Sequence, residues 1–163
     1  PPGCMRWVRP DGMHVTLKFL GEISTRELAA VVAALREHAS EVDPFSLGVG
    51  GLDCFPNPNH PKVVWVNIAD APAMLGRLRD TVEAAAIAAG LAPDNKPFRP
   101  HVTLGRVQRR ASKSDVRRIG QVVRRTPLQG YGTADVSRFA LMKSDLQPGG
   151  AVYTALEHFA FEK

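Results

Sequence analysis

The sequence predicts a chain of mixed helices and strands built from two copies of one unit. Three observations carry this. The tetrapeptide His-Val-Thr-Leu occurs twice, at His14–Leu17 and His101–Leu104, about half the chain apart. Each copy reads as a strand followed by a helix and then by two strands, so the order of elements repeats along with the residues. Hydrophobic residues make up 44% of the 163, enough to bury a core in one domain or in two small lobes.

The elements follow in order. Trp7-Val8 is a short apolar stretch, and Arg9-Pro10-Asp11-Gly12 is a turn signal. Met13 to Leu20 reads as a strand that breaks at Gly21. Ser24 with Glu27 three residues later is a capping-box pair. Behind it, Leu28, Val31, Val32, Leu35 and Ala39 mark one face of a helix that is over by Asp43-Pro44. Phe45 to Leu52 alternates loosely, as a strand does. Phe55 to Pro61 is a loop, rich in proline and asparagine. Val63 to Ile68 is a strand. Ala71 to Ala89 is an alanine-rich helix carrying Met74, Leu75, Leu78, Val82 and Ile87, closed by Gly90. Pro93 to Pro100 is a loop and His101 to Arg106 a strand. A basic helix spans Ser114 to Arg125. Ala134 to Met142 and Val152 to Phe161 are the last two strands, joined through Gln147-Pro148-Gly149-Gly150.

The repeat carries a further expectation. A strand and a helix precede the second His-Val-Thr-Leu, yet little chain precedes the first. A matching strand and helix, roughly 30–40 residues by typical element lengths, are therefore expected upstream of Pro1.

Side chains on a strand alternate between faces, so His14 with Thr16, and His101 with Thr103, each share one face above apolar neighbours. Two imidazoles and two hydroxyls brought to one cleft suit a tetrahedral phosphate. Histidine titrates near neutrality, so one can act as general base and its twin as general acid. The hydroxyls can donate to the non-bridging oxygens as charge builds there. Neither a metal nor another cofactor is needed. A strand with one polar face, duplicated without chemistry, is the plain alternative.

Lys and Arg number 21 against 16 acidic residues, a net charge of +5, which suits a polyanionic partner. The densest basic run is Arg106, Arg109, Arg110, Lys113, Arg117, Arg118, Arg124 and Arg125. Arg109 and Arg110, nearest the motif, are candidate RNA contacts. Arg117 to Arg125 read as a solvated helix face. His38, His60 and His158 lack a motif context, and no metal-ligand, Walker, GxSxG or GxGxxG pattern is present. Cys4 and Cys54 read as reduced thiols of a cytosolic protein. No apolar run has the length of a membrane span. The expected protein is thus a cytoplasmic monomer with no membrane association.

Trp7 to Glu22 resembles the first motif region of the bacterial RNA 2′,3′-cyclic phosphodiesterases, also called 2′-5′ RNA ligase-like proteins, of the two-histidine (2H) phosphoesterase superfamily. Pro97-Phe98-Arg99-Pro100-His101-Val102-Thr103-Leu104-Gly105-Arg106 resembles the second, and Phe55-Pro56 with Pro61 to Val66 also fits. The resemblance covers essentially the whole chain. It implies a bilobal α+β fold, with pseudo-two-fold lobes, antiparallel sheets around a central cleft and helices outside. It implies hydrolysis of a ribose 2′,3′-cyclic phosphate, on an RNA end or a small cyclic nucleotide, to a 2′-phosphomonoester. His101 would activate water and His14 would protonate the leaving 3′ oxygen, or, since the two motifs are alike, the reverse; Thr16 and Thr103 would hold the phosphate. Phe19 and Arg106, each five residues after its histidine, would flank the nucleobase. Strict alternation would put that position on the wrong face, so this requires a bend near Gly105. The residues alone equally allow Phe19 in the core and Arg106 on the surface. A non-catalytic RNA- or nucleotide-binding module, and a 2′-5′ RNA ligase working in the same site, are the alternatives.

Overall fold

A computed structural model describes residues 3–39, 42–69, 73–126, 130–147 and 150–161. The chain divides into two compact units that interleave in sequence. The first takes Pro1–Val15, Leu47–Asp70 and Pro100–Ala134. The second takes Thr16–Ser46, Ala71–Arg99 and Asp135–Lys163.

The first unit is built on a five-stranded sheet of order β1-β4-β3-β2-β5. Its strands are β1 (Met5–Trp7), β2 (Phe45–Phe55), β3 (Val63–Ala69), β4 (His101–Val107) and β5 (Gly130–Val136). The registered pairs β1–β4, β4–β3 and β3–β2 are all antiparallel. Helix α3 (Lys113–Arg125) begins on a full capping box, in which Ser112 and Asp115 each satisfy the other's backbone N–H. These bonds hold the Asp115 carboxyl below the usual carboxylate range. The helix lays Ile119 and Val123 against Cys4, Cys54 and Val64, with Met5, Leu52 and Val107 around them. Cys4 and Cys54 are buried there and form no disulfide; burial pushes the Cys54 thiol up, away from the thiolate form.

The second unit holds α1 (Thr25–Ala39), α2 (Ala73–Ala88) and the hairpin β6 (Arg138–Gln147) with β7 (Gly150–Ala160). The expected box at Ser24 and Glu27 is present, with the Ser24 N–H donating to Glu27 at 2.7 Å. Val31, Leu35 and Ala39 are buried along one helical stripe, as the period predicts. Helix α2 ends on Gly90 in the left-handed region, with Gly90 N–H donating to Ile87 and Leu91 N–H to Ala86, a Schellman closure. Phe139 stacks on Phe159 at 4.8 Å between centroids.

Three expectations need correction. Met13–Leu20 is not a strand: it forms a single bridge, Val15 to Val102. Residues 5–15 are one interrupted edge strand on β4. Pro10, which lacks an N–H, opens a 3-10 turn at Pro10–Gly12 that lifts the chain off the edge before Val15 returns to it. The ladder then stops because β4 itself starts at His101, behind Pro100. The single strand expected over Ala134–Met142 is two strands, β5 and β6, separated at Ser137. Nearly every residue of β5 is exposed, so its sequence carries no alternation to read. Three strands therefore follow α3, where the repeat predicted two. Residues 148 and 149 of the expected final turn lie outside the described residues. No helix among the described residues is long and apolar enough to cross a membrane.

Candidate active site

Register decides which side chains share a face, because directly opposed residues in an antiparallel pair point the same way. His101 opposes Asn67, Thr103 opposes Trp65 and Arg106 opposes Val63. Asn67, Trp65 and Val63 alternate along β3, so His101, Thr103 and Arg106 share one face. That requires an irregularity in β4, and the structure has one. The register steps from Val64–Gly105 to Trp65–Thr103, leaving Leu104 as an extra residue, a β-bulge. The bend that the fifth position after His101 needed is thus built into the motif. Val64 and Cys54 point to the other face, where α3 packs, so His101, Thr103 and Arg106 lie on the face away from α3.

The Val15–Val102 bridge brings the first motif to the same place. Val15 shares the face of Val102, so alternation puts His14 on the face of His101, opposite Thr103. The two histidines, far apart in sequence, are neighbours on one surface. The Nδ1 of His14 lies 2.8 Å from the Gly12 carbonyl oxygen. A carbonyl only accepts, so Nδ1 carries the proton in this contact. Gly12 reads as a turn residue in sequence and shows no sign of this role. The His101 ring, half-buried, is flanked by Phe55 edge-on and by Trp65 at a tilt, each with centroids 5.2 Å away. Phe55 and Trp65 themselves stack at 5.1 Å. The aromatic wall restricts the imidazole to few rotamers. The bulk of Phe55 and Trp65 is legible in the sequence, but their placement beside His101 comes from the β2–β3–β4 register.

The other expected site residues divide by position. Thr16 and Phe19 belong to the second unit; Thr16 is half-buried and Phe19 is 81% exposed, so Phe19 is not a core residue. Two residues beyond the motif threonine, Lys18 is almost wholly buried and donates to Glu83 at 2.8 Å and to the Ala92 carbonyl at 3.2 Å. Glu83 also accepts the Asp94 N–H at 2.6 Å. The Lys18 hydrogen bond holds the Glu83 carboxyl below its ordinary value, helped by the Asp94 N–H and opposed by burial. Neither residue stood out in the sequence.

Arg109 and Arg110 are exposed and follow the end of β4, which carries the chain about 20 Å beyond His101 at a strand's rise per residue. Arg110 donates to the Gly3 carbonyl at 3.3 Å. Arg117, Arg118 and Arg125 sit on α3, behind the sheet from His101, and Arg124 bonds Asn59. A shallow depression lined by Arg118, Gln121, Val122, Arg125 and Thr126 runs along that helix and is no part of the histidine face. His38 lies in the last turn of α1, His60 in the loop before β3 and His158 on β7. Among the described residues, no three His, Cys, Asp or Glu side chains converge as a metal-ligand set.

Known proteins match this arrangement. A profile of the 2′-5′ RNA ligase superfamily matches residues 7–148. An RNA 2′,3′-cyclic phosphodiesterase from Aquifex aeolicus is 31% identical over 155 residues, 94% of this chain and 80% of that protein. One from Archaeoglobus fulgidus is 34% identical over 154 residues, covering 93% and 81%. Among solved structures, a protein from Thermus thermophilus superposes with a TM-score of 0.79 at 31% identity, over 98% of this chain and 84% of that one. E. coli LigT complexed with 3′-AMP gives 0.76 at 26% identity, over 100% and 84%. The two His-Val-Thr-Leu copies, the antiparallel α+β fold and these matches agree, and the chain belongs to the 2′-5′ RNA ligase superfamily of two-histidine phosphoesterases.

Proposed function

We propose that this protein hydrolyses 2′,3′-cyclic phosphate ends of RNA to 2′-phosphomonoesters, without a metal, between His14 and His101. The observation that carries the proposal is the Val15–Val102 bridge, which sets both motif histidines and Thr103 on one face of one sheet. Several relatives named RNA 2′,3′-cyclic phosphodiesterase match over most of this chain, and E. coli LigT has been solved with 3′-AMP, NADP+, ATP and phosphate. Nucleoside phosphates are thus ligands of a relative.

In the proposed reaction His101 takes a proton from water as the oxygen attacks phosphorus. The P–O3′ bond breaks in line, and His14, protonated on Nε2, gives its proton to O3′. The Gly12 carbonyl, by holding Nδ1–H, commits Nε2 to that transfer. Thr103 donates to a non-bridging oxygen; the same role for Thr16 rests on the repeated motif. Arg106 lies beside the terminal nucleoside, where a guanidinium tolerates any base; the stacking role of Phe19 rests on the family resemblance alone. Arg109 and Arg110 would meet only RNA extending beyond that nucleotide. The protein acts as a cytoplasmic monomer in this reading. The ligase reaction is the same displacement with a ribose 5′-hydroxyl in place of water as the nucleophile, so that a 2′-5′ diester forms as the P–O3′ bond breaks.

The test is an oligonucleotide with a 2′,3′-cyclic phosphate, incubated with the protein in EDTA and analysed for the 2′-phosphate. His14→Ala and His101→Ala should each abolish measurable turnover. Unchanged turnover in either variant overturns the two-histidine mechanism. Tight binding without turnover in the wild type makes the protein a binding module instead.

A further inference from the structure

On the histidine face, β1 and β4 place two arginines directly opposite each other. The register pairs Arg6 with Arg106, flanked by Met5–Val107 and Trp7–Gly105. Arg106 shares the face of His101 through the Leu104 bulge, so Arg6 shares it too. Opposed residues of this kind have Cβ atoms about 5 Å apart, and like charges there destabilise the pair. Both side chains are exposed, and among the described residues no carboxylate lies within ion-pair distance of either guanidinium. Asp53 is on the same face but on β2, three strands from Arg6, and its carboxylate accepts the Cys54 N–H. Two uncompensated guanidiniums at one cross-strand position form a fork for an anion.

That anion is not the one at the histidines. His101 and Arg106 are separated by four residues of β3 register, about 14 Å along the strand. An RNA end carries a second phosphate close to the cyclic one, the diester on the 5′ side of the terminal nucleoside. A cyclic mononucleotide has none. We propose that Arg6 and Arg106 form a second anion site that holds this 5′ phosphodiester and so makes the enzyme favour RNA ends over free cyclic mononucleotides. Arg106 can serve both contacts, its flat face toward the base and its edge donors toward phosphate. The inference rests on the phosphodiesterase reading only for the identity of the substrate; the paired arginines stand apart from it.

The experiment separates the two. Binding of adenosine 2′,5′-bisphosphate and of adenosine 2′-monophosphate to the full chain is measured by calorimetry, beside initial rates on 2′,3′-cyclic AMP and its 5′-phosphorylated form. The bisphosphate should bind about tenfold tighter, the worth of one charge-assisted contact. Arg6→Gln should erase that advantage, leave the monophosphate affinity within about twofold, and flatten the salt dependence of bisphosphate binding by about 0.7 in log–log slope. Arg6→Lys should keep part of the advantage, which controls for folding. Equal binding of the two ligands by the wild type, or an equal loss of both in Arg6→Gln, overturns the site. Turnover of neither substrate, with a bisphosphate advantage that Arg6→Gln removes, overturns the phosphodiesterase reading and leaves the anion site standing.

Discussion

Thr103 shows how much a single residue is asked to do. Its hydroxyl shares the face of both histidines, and in the proposed reaction it meets charge that develops only in the transition state. Thr103→Val should therefore lower kcat about 100-fold with little change in KM, as loss of one such donor does elsewhere. Steady-state kinetics on a cyclic-phosphate dinucleotide check this. A raised KM with kcat unchanged would assign Thr103 to ground-state binding. Lys18 makes a different residue-scale case. Removing Lys18 leaves the buried Glu83 carboxylate with only the Asp94 N–H and Arg79, 3.7 Å away, so Lys18→Met should cost about 1–3 kcal/mol of stability, read by urea denaturation. The acid limb follows from the sign of the Glu83 shift. Its folded pKa is lowered, so its stabilisation is complete above the ordinary carboxylate value and is lost as pH falls through the lower folded one. The melting temperature should drop on acidification below about pH 4, and that part of the drop should shrink in Lys18→Met, where the Asp94 N–H and Arg79 still act on Glu83. An identical acid limb in both proteins would show that the pair contributes nothing to it.

At the scale of elements, α3 is held against the sheet by close approach as well as by apolar burial. A Cβ on Gly120 would sit 1.9 Å from the Pro58 carbonyl oxygen, a backbone atom that cannot swing aside. Gly120→Ala should thus destabilise the protein by about 1–3 kcal/mol despite its better helix propensity, by forcing α3 off the loop before β3. Chemical denaturation measures it, and a stabilised variant would mean that the loop yields. Trp65 poses the opposite case. It is 7% exposed, and its indole N–H finds no acceptor among the described residues. An unpaired buried donor is already a cost, so Trp65→Phe should change stability by less than about 1 kcal/mol, whereas Trp65→Ala should lose about 3–5 kcal/mol. A large loss in Trp65→Phe would show that the N–H has a partner, for instance a bound water.

At the scale of the molecule, the first unit has a chemical face and a structural one. The histidines, Thr103, Arg6 and Arg106 occupy the first, and α3 covers the second. Neutralising Arg117 and Arg118 on α3 should leave turnover of 2′,3′-cyclic AMP within about twofold, since helix charges behind the sheet are screened over about one Debye length. A larger loss in that double variant would tie the helix to the reaction.

The residues by themselves already establish the repeated His-Val-Thr-Leu, the Ser24–Glu27 capping box, the periods of the helices, most of the strands, and with them the family. These are local properties, written in residues a few positions apart, where side-chain chemistry dictates backbone geometry. The remainder depends on which strand lies beside which, and it emerges only on folding. The first motif is a lone bridge on an interrupted edge rather than a strand, because Pro10 breaks the ladder and β4 begins only at His101. The Leu104 bulge turns Arg106 to the histidine face, against the alternation that residues alone predict. Arg6, inconspicuous in sequence, becomes Arg106's partner across β1 and β4. Register and bulges are set by hydrogen bonds between segments distant in sequence, Val63 with Arg106 and Met5 with Val107, so no local window of sequence contains them.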